Sequence, residues 1–226
     1  MQAIEIFGLH GWVEITDPED LIQKYWKLGV FYEADLLRQI ATLDLCGNVA
    51  IDCGAHRGNH TLFFAKILGL KVLAFEPEDN NYKALKDNIS LNTGLQVTTY
   101  KAALMDKPGV MELHSYGDNS GMNKITYIET PYSYPVPCYT VDGIAEGQNV
   151  GLLKIDAEGM EQEVLTGALE TIKRCKPVIA VETPNAGKLM RWLNRQVDNI
   201  YHVYRGPFAK TPTYLFIPRP YELSNL

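Results

Sequence analysis

The chain lacks the long apolar run that a membrane-spanning helix needs. Its longest apolar stretch, residues 62–75, is interrupted by Lys66, Gly69 and Lys71, whereas a span requires about 20 consecutive apolar residues. The N-terminus also has no basic segment followed by an apolar one, which a secretory signal would show. We therefore expect a soluble, cytoplasmic protein without membrane partners.

Runs of basic residues are also lacking. The longest consists of Lys173 and Arg174, and the formal net charge is -6. Proteins that bind nucleic acids usually carry a basic surface, because neutralising phosphates supplies most of their affinity. The charge therefore favours a small-molecule or sugar partner over a nucleic acid. A homo-oligomer stays open.

Cysteines are few and show no paired spacing. None of the four follows the C-x-x-C pattern of metal and redox sites, and a chain of 226 residues can bury a core without cross-links. We predict reduced thiols at Cys46, Cys53, Cys138 and Cys175.

Apolar strands alternate with helical segments from residue 48 onward. The predicted strands are residues 48–52, 71–75, 96–100, 151–155, 177–181, 200–204 and 214–217. The predicted helices are residues 61–68, 81–92, 161–173 and 186–194. This alternation predicts an α/β domain over residues 46–226, with a mainly parallel sheet and helices on both faces.

Two regions fall outside this alternation. Residues 1–45 are predicted to form a helical extension or lid, with helices over 18–28 and 33–43, and Tyr32 and Glu33 are the candidates for covering a ligand. Residues 109–139 predict an inserted hairpin or loop region, where binding residues are frequent. Its flat and polar side chains could hold a sugar or pack as structural tyrosines: Asn119, Ser120, Asn123, Tyr127, Tyr132, Tyr134 and Tyr139.

A glycine loop joins the first strand of the domain to its first helix. From Asp52 to Asn59 the pattern is D-x-G-x-x-x-G, with glycines at Gly54 and Gly58. Glycines let the chain turn sharply and approach a nucleotide-type ligand closely. His56 stands where the dinucleotide fingerprint has the glycine next to the pyrophosphate. Asp52 suits a cationic amino-acid group better than phosphates, which favours S-adenosylmethionine.

An acidic residue ends the next strand. Glu76 lies 18 residues beyond Gly58, near the ~20-residue offset at which a carboxylate accepts hydrogen bonds from ribose hydroxyls. Pro77 then stops the strand. A tight turn with a surface charge would give the same residues, but the strand, loop, helix and Glu76 together favour a cofactor site.

These segments resemble the FkbM family of methyltransferases. Residues 51–65 are similar to motif I of the family and the helix after it, and residues 72–77 to its acidic second strand. Residues 88–92 are similar to the end of the next helix. The most distinctive block of the family corresponds to residues 152–161 with the continuation 164–168, and the strand after it to residues 177–182. The resemblance extends over residues 32–218. It implies a Rossmann-like class I methyltransferase fold, S-adenosylmethionine as cofactor, and mainly O-methylation of sugar or natural-product hydroxyls.

The resemblance also implies which residues hold the cofactor. Asp52, Gly54 and Gly58 would line the methionine portion, and Glu76 would hold the ribose. Ala102 or Ala103 would lie near the adenine. The full predicted cofactor set is Asp52, Gly54, Ala55, Gly58, Asn59, Glu76, Pro77, Ala102 and Asp156.

Carboxylates follow the ends of two later strands, where ligands bind in a sheet of this type. In one mechanism Glu158 or Glu182 is the general base for an acceptor hydroxyl, assisted by His60. In the other, Asp156 and Glu182 hold Mg²⁺, which lowers the pKa of the hydroxyl. Two carboxylates are a thin ligand set, so a metal is not favoured. The predicted catalytic residues are Asp156, Glu158 and Glu182.

Two other functions share parts of this pattern. An NAD-dependent oxidoreductase has the same strand, loop and acidic strand end, but the chain lacks the second glycine of the dinucleotide fingerprint. A non-catalytic module that binds the cofactor or a sugar would also fit the loop, although the strand-end carboxylates exceed what a scaffold needs. Methyltransferases acting on bases in nucleic acids typically carry a [D/N/S]-P-P-aromatic loop, and residues 156–159 differ from it.

Overall fold

The chain begins with a hairpin in the computed structural model, which describes residues 1–17, 19–114, 124–126, 133–208 and 211–219. Strands β1 (Gln2–Ile6) and β2 (Leu9–Val13) pair antiparallel. The turn residues Phe7 and Gly8 have φ angles of 54° and 74°, as a tight two-residue hairpin turn requires. The predicted extension is therefore not wholly helical: α1 (Leu21–Lys27) and α2 (Ala34–Ala41) follow a hairpin that the sequence analysis missed.

Strands and helices then alternate as predicted. The elements are β3 (Val49–Cys53), α3 (Asn59–Leu62) with a π-helical turn (Phe63–Ile67), β4 (Lys71–Phe75), α4 (Asp79–Ser90), β5 (Val97–Tyr100), β6 (Ala103–Leu104), β7 (Gly109–His114), β8 (Lys124–Thr126), β9 (Ser133–Tyr139), α5 (Val141–Ile144), β10 (Val150–Ile155), α6 (Glu161–Thr166), α7 (Leu169–Cys175), β11 (Val178–Glu182), α8 (Ala186–Gln196), β12 (Tyr201–Arg205) and β13 (Thr213–Pro218). Each of the seven predicted strands ends within one residue of an observed one.

Seven strands form the central sheet in the order β12-β13-β11-β10-β3-β4-β5. The pairs among β11, β10, β3, β4 and β5 are parallel, and β13 runs antiparallel to both of its neighbours. The mainly parallel α/β sheet is therefore confirmed. Along the chain, β4 and β5 extend the sheet on one side of β3, whereas β10 and β11 extend it on the other. Such a switch point leaves a crevice at the carboxyl ends of the strands.

The N-terminal segment packs on one face of this sheet. Ile4, Trp26 and Phe31 are fully buried and belong to the same apolar cluster as Ala50 and Leu152 of the central strands. Burial of apolar area contributes roughly 25 cal/mol per Å². Residues 1–45 are therefore part of the core as well as a candidate cover for the crevice.

One predicted helix is divided. The pattern over residues 161–173 predicts a single helix, but α6 and α7 are separate and Gly167 lies between them. A Cβ at Gly167 would lie 2.1 Å from the carbonyl oxygen of Met105. The close approach of another backbone therefore fixes glycine here, and local periodicity carries no sign of it.

The inserted region contains a second sheet in the order β6-β9-β7-β8. Strands β7 and β9 pair antiparallel over six residue pairs, which confirms the hairpin predicted within residues 109–139. The predicted sugar contacts at Asn119, Ser120, Asn123, Tyr127 and Tyr132 lie outside the described residues.

All four cysteines are in the described part of the chain, and each is a free thiol, as predicted. Cys53, Cys138 and Cys175 are buried, and Cys46 is exposed. No helix among the described residues is long and apolar enough to cross a membrane.

Candidate active site

A cavity of about 690 Å³ lies at the carboxyl ends of the central strands. Its lining includes Gly54 after β3, Glu76 after β4, Asp156 after β10 and Glu182 at the end of β11. The volume lies within the range of small-molecule and cofactor sites. The fold therefore brings the predicted glycine loop, the predicted ribose carboxylate and the predicted catalytic carboxylates to one place.

The glycine loop is held by close backbone contacts. Gly54 has a φ of 74°, and a Cβ there would lie 2.1 Å from the carbonyl oxygen of Asp156. The amides of Gly54 and Ala55 both donate to the carbonyl of Phe75, at 3.0 and 2.9 Å. Gly58 has a φ of 95° and does not itself line the cavity, so it shapes the start of α3.

Glu76 is buried in the cavity wall, with 6% of its surface exposed. Its Oε2 accepts the amide of His56 at 2.8 Å, and its Oε1 accepts the amide of Glu78 at 2.9 Å. Burial raises the pKa of Glu76 to about 7, although the two amides oppose the shift. The carboxylate is thus fixed in place by backbone donors, next to Pro77, which also lines the cavity.

Asp52 takes a different position from the one the resemblance implies. It is fully buried and is not part of the cavity lining. Its Oδ2 accepts the hydroxyl of Thr61 at 2.6 Å, and its Oδ1 lies 3.4 Å from Nζ of Lys154. In this structure the carboxylate pairs with a buried lysine behind the loop, and its predicted contact with the cofactor stays a prediction.

Lys154 is a site residue that the sequence analysis did not single out. Its Nζ donates to the carbonyls of Gly54 (2.6 Å) and Cys53 (3.3 Å) and lies 3.6 Å from Oδ2 of Asp156. Burial lowers the pKa of Lys154, but Asp52 and Asp156 outweigh burial and raise it above its ordinary value. A lysine within the apolar strand Leu152–Ile155 was the available signal, because a charge buried on both faces of a sheet needs a partner.

Asn59 faces the cavity and ties the N-terminal segment to it. Its Oδ1 accepts the indole N–H of Trp26 and the amide of Tyr32, each at 3.0 Å, and its Nδ2 donates to the carbonyl of Tyr32 at 3.0 Å. Asn59 therefore has a structural role in addition to its predicted contact with the cofactor.

The wall near the inserted sheet is apolar. It is formed by Ala102, Ala103, Leu104, Met105 and Leu113, all of them buried. A flat, apolar adenine would suit such a wall, and the predicted adenine contacts Ala102 and Ala103 are both part of it. Tyr134 and Tyr139, the described members of the predicted sugar surface, are not among the residues that line the cavity.

The three predicted catalytic carboxylates line the cavity together. Burial, with Asp156 and Glu33 nearby, raises the pKa of Glu182 to about 8. Glu158 has a φ of 49°, in the left-handed region that disfavours residues other than glycine. Within the described residues no group of three or more His, Cys, Asp and Glu side chains is arranged to hold a metal ion.

Glu33 and His60 form a pair that the sequence analysis did not recognise. His60 Nε2 lies 3.1 Å from Glu33 Oε2, and their side chains are 9% and 7% exposed. Burial raises the pKa of Glu33, but contacts with His60 and Thr211 outweigh burial and lower it overall. The sequence analysis named the two residues in separate roles, and nothing in their spacing of 27 residues indicates the contact.

The cavity is strongly acidic. Lys154 is the one lysine or arginine in its described lining, and Asp52 already neutralises it. Nine aspartate and glutamate side chains surround the space, and two of them, Glu76 and Glu182, have a raised pKa. The nine are Asp17, Glu19, Asp20, Glu33, Glu76, Glu78, Asp156, Glu158 and Glu182. Such a field attracts cations and repels phosphates.

The strand order, the antiparallel β13 and the glycine loop at the switch point define a class I methyltransferase fold. The family model of the methyltransferase FkbM domain matches residues 52–201. The chain therefore belongs to the FkbM methyltransferase family. No curated protein sequence shows significant similarity to it.

Solved structures show the same fold. Methyltransferase FkbM from Methylobacillus flagellatus KT is 18% identical, with a TM-score of 0.56 over 76% of this chain and 44% of that protein. The 16S rRNA N2 G1207 methyltransferase of T. Thermophilus, solved with AdoMet and guanosine, is 12% identical, with a TM-score of 0.52 over 96% of this chain and 49% of that protein. The chain thus spans less than half the length of either protein.

Proposed function

We propose that the protein is an S-adenosylmethionine-dependent O-methyltransferase that acts on a hydroxyl of a sugar or another small molecule. One observation carries the proposal. The carboxylate of Glu76 is held by the backbone of the glycine loop in the wall of the switch-point cavity. A carboxylate at this place can accept hydrogen bonds from a ribose diol.

The residues in the cavity fit the parts of the cofactor. Glu76 would hold the ribose, and the apolar wall that includes Ala102 would contact the adenine. Gly54, Ala55 and Asp156 would hold the methionine portion, whose ammonium and sulfonium suit an acidic cavity. When bound, S-adenosylmethionine supplies a methyl group that its sulfonium has already activated.

The acidic lining argues against the two phosphate-bearing alternatives. A dinucleotide would place its pyrophosphate in a cavity lined by nine acidic residues, most of them without a raised pKa, and a nucleic acid would bring further negative charge to the same opening. Both would meet repulsion in place of the positive field that phosphates require. We therefore keep NAD chemistry and a nucleic-acid acceptor as outcomes of the test.

The acceptor hydroxyl would enter beside Asp156, Glu158 and Glu182. The protein must align the acceptor with the methyl group and remove a proton. A hard metal ion could assist at Asp156 and Glu182, but two carboxylates fall short of the six or more oxygen ligands that such ions usually take. The proposal is therefore metal-independent transfer to a hydroxyl.

Calorimetry with S-adenosylhomocysteine tests the cofactor. The wild type should bind it in the micromolar range, and Glu76→Gln should bind about tenfold more weakly or worse, which is ~1.4 kcal/mol. Glutamine keeps the volume of the side chain but replaces one acceptor oxygen with an amide nitrogen. Glu170→Gln, at an exposed position, is the matched control. Wild-type protein that binds NAD and not S-adenosylhomocysteine would sink the proposal.

The acceptor class is tested next with tritiated S-adenosylmethionine and a panel of methyl glycosides and simple phenols. Transfer to a hydroxyl that does not change when EDTA is added is expected. Transfer that requires added Mg²⁺ would instead support the mechanism with Asp156 and Glu182 as ligands. Transfer to an RNA oligonucleotide but to none of the small acceptors would reverse the choice of partner.

A further inference from the structure

We propose that His60 is the base that takes the proton from the acceptor hydroxyl, and that Glu33 is the positioning residue that orients it. The proposal rests on the methyltransferase function proposed above. It moves the proton acceptor from the strand-end carboxylates to the part of the cavity lining that α3 and the N-terminal segment provide.

The contact between the two side chains determines which ring nitrogen can act. Oε2 of Glu33 lies 3.1 Å from Nε2 of His60. Two lone pairs at this distance would repel each other, which places the proton on Nε2, although its N–H is not aligned on the carboxylate as a hydrogen bond requires. In the neutral ring the other nitrogen, Nδ1, then has its lone pair available as an acceptor.

The proposed base belongs to the wall of the cavity that would receive the acceptor. His60 forms part of the cavity lining, and its ring packs against Phe64 at a centroid distance of 6.0 Å. Within the described part of the chain, no hydrogen-bond partner occupies Nδ1 of His60. Because Asp156 and Glu182 line the same cavity, a hydroxyl held near these carboxylates remains within the space that His60 faces.

The chain fixes Glu33 in this place from three directions. Asn59 binds both the amide and the carbonyl of Tyr32, each at 3.0 Å, immediately before Glu33. The hydroxyls of Thr211 and Thr213 donate to Oε1 of Glu33, which leaves Oε2 for His60. Glu33 itself has a φ of 54°, and a strained backbone at a residue other than glycine is a common feature of functional sites.

The proton and charge balance is closed within the site. The oxygen of the acceptor forms a bond to the methyl carbon while its proton moves to Nδ1 of His60. The electron pair of the breaking carbon–sulfur bond stays on sulfur, which becomes a neutral thioether. The positive charge lost from sulfur thus appears on the imidazolium of His60, where the carboxylate of Glu33 stabilises it. This is the role of the carboxylate in a carboxylate–histidine pair.

A purely structural tie between α3 and the N-terminal segment is the alternative reading of the pair. His60→Gln separates the two readings, because the amide of glutamine can still donate to Glu33 but cannot take a proton. Glu33→Gln keeps the shape of its partner and removes the charge. His10→Gln is the matched control, since His10 is an exposed histidine on β2.

The experiment measures methyl transfer from tritiated S-adenosylmethionine to the methyl glycosides and phenols of the acceptor panel. For His60→Gln we expect kcat to fall at least about 100-fold, with unchanged KM and unchanged affinity for S-adenosylhomocysteine. Glu33→Gln should lower kcat less, and added imidazole should restore part of the activity of His60→Ala. Wild-type kcat in His60→Gln would overturn the proposal and leave the methyltransferase function intact.

If no molecule of the acceptor panel is methylated, NMR of the imidazole ring in protein labelled with ¹⁵N-histidine still tests the proposal. In the complex with S-adenosylhomocysteine, a neutral His60 ring with its proton on Nε2 supports the proposal. A proton on Nδ1 overturns it, because the nitrogen facing the cavity could then not act as a base. Loss of S-adenosylhomocysteine binding in the wild type would instead reject the function on which the inference rests.

Discussion

Two buried glutamates that line the cavity show opposite shifts of their pKa values. Glu76, at the end of β4, is held by two backbone amides, and burial raises its pKa to about 7. Glu33, between the N-terminal helices, is buried as well, yet His60 and Thr211 outweigh the effect of burial and lower its pKa. The pKa of a glutamate is therefore raised at one position of this cavity and lowered at another.

The difference follows from the partner. Backbone amides place Glu76 but bring no positive charge, so burial keeps the pKa of its carboxyl group raised, at about 7. Glu33 has side-chain partners in the protein, His60 and Thr211, that favour its ionised form. The carboxyl group of Glu76 would gain its remaining hydrogen-bond donors from the cofactor, whereas Glu33 already has its partners in the protein.

Removing Lys154 should have the largest effect, because this lysine lowers the pKa of both glutamates and neutralises Asp52. Lys154→Met leaves the carboxylate of Asp52 buried without its charge partner. Such changes destabilise proteins by roughly 3–5 kcal/mol. Urea unfolding followed by circular dichroism measures the loss.

Two further variants make this test specific. Lys71→Met, at the exposed start of β4, should change the free energy of unfolding by less than about 0.5 kcal/mol. The double variant Asp52→Asn/Lys154→Met should recover part of the stability, because the unpaired charge is gone. Equal losses in the single and the double variant would show that Lys154 acts through packing and not through charge.

The pH dependence of cofactor binding tests whether the ionised carboxylate of Glu76 contacts the ribose. Ribose hydroxyls donate to the ionised carboxylate, so the affinity of the wild type for S-adenosylhomocysteine should rise between pH 6 and pH 8. With a pKa of about 7, the ionised fraction changes by up to about tenfold over this range. Calorimetry at several pH values should show a flat profile for Glu76→Gln. A wild-type profile that is flat as well would remove Glu76 as the ribose contact.

The sequence predicted the central sheet well because its signals are local. Apolar runs that end in Asp52, Glu76 and Asp156 mark strands, and Gly54 follows the first of them. The position of Glu76 in the cavity followed from the strand end alone. The signals for these elements lie in adjacent residues, so the elements could be predicted without knowledge of tertiary contacts.

The parts that sequence reasoning missed depend on contacts between distant segments. Gly167 breaks a helix because the backbone of Met105 approaches it. Asp52 pairs with Lys154, a residue 102 positions away. The pairing of Glu33 with His60 likewise arises only when the N-terminal segment packs on α3. None of these contacts leaves a periodic pattern in the chain.

The smallest expected effect is on the stability of the ligand-free protein, and it tests whether the pKa of Glu76 is raised in the folded state. A carboxyl group whose pKa is raised in the folded state favours folding at low pH and loses that contribution as pH rises through the folded value. Stability should therefore fall between pH 6.5 and pH 8, by an amount on the order of 1 kcal/mol from Glu76, with Glu182 acting in the same direction. The lowered pKa of buried His56 acts mainly below this window. Urea unfolding of Glu76→Gln should show a shallower fall than the wild type, and an identical fall would mean that Glu76 is ionised at neutral pH like Glu33.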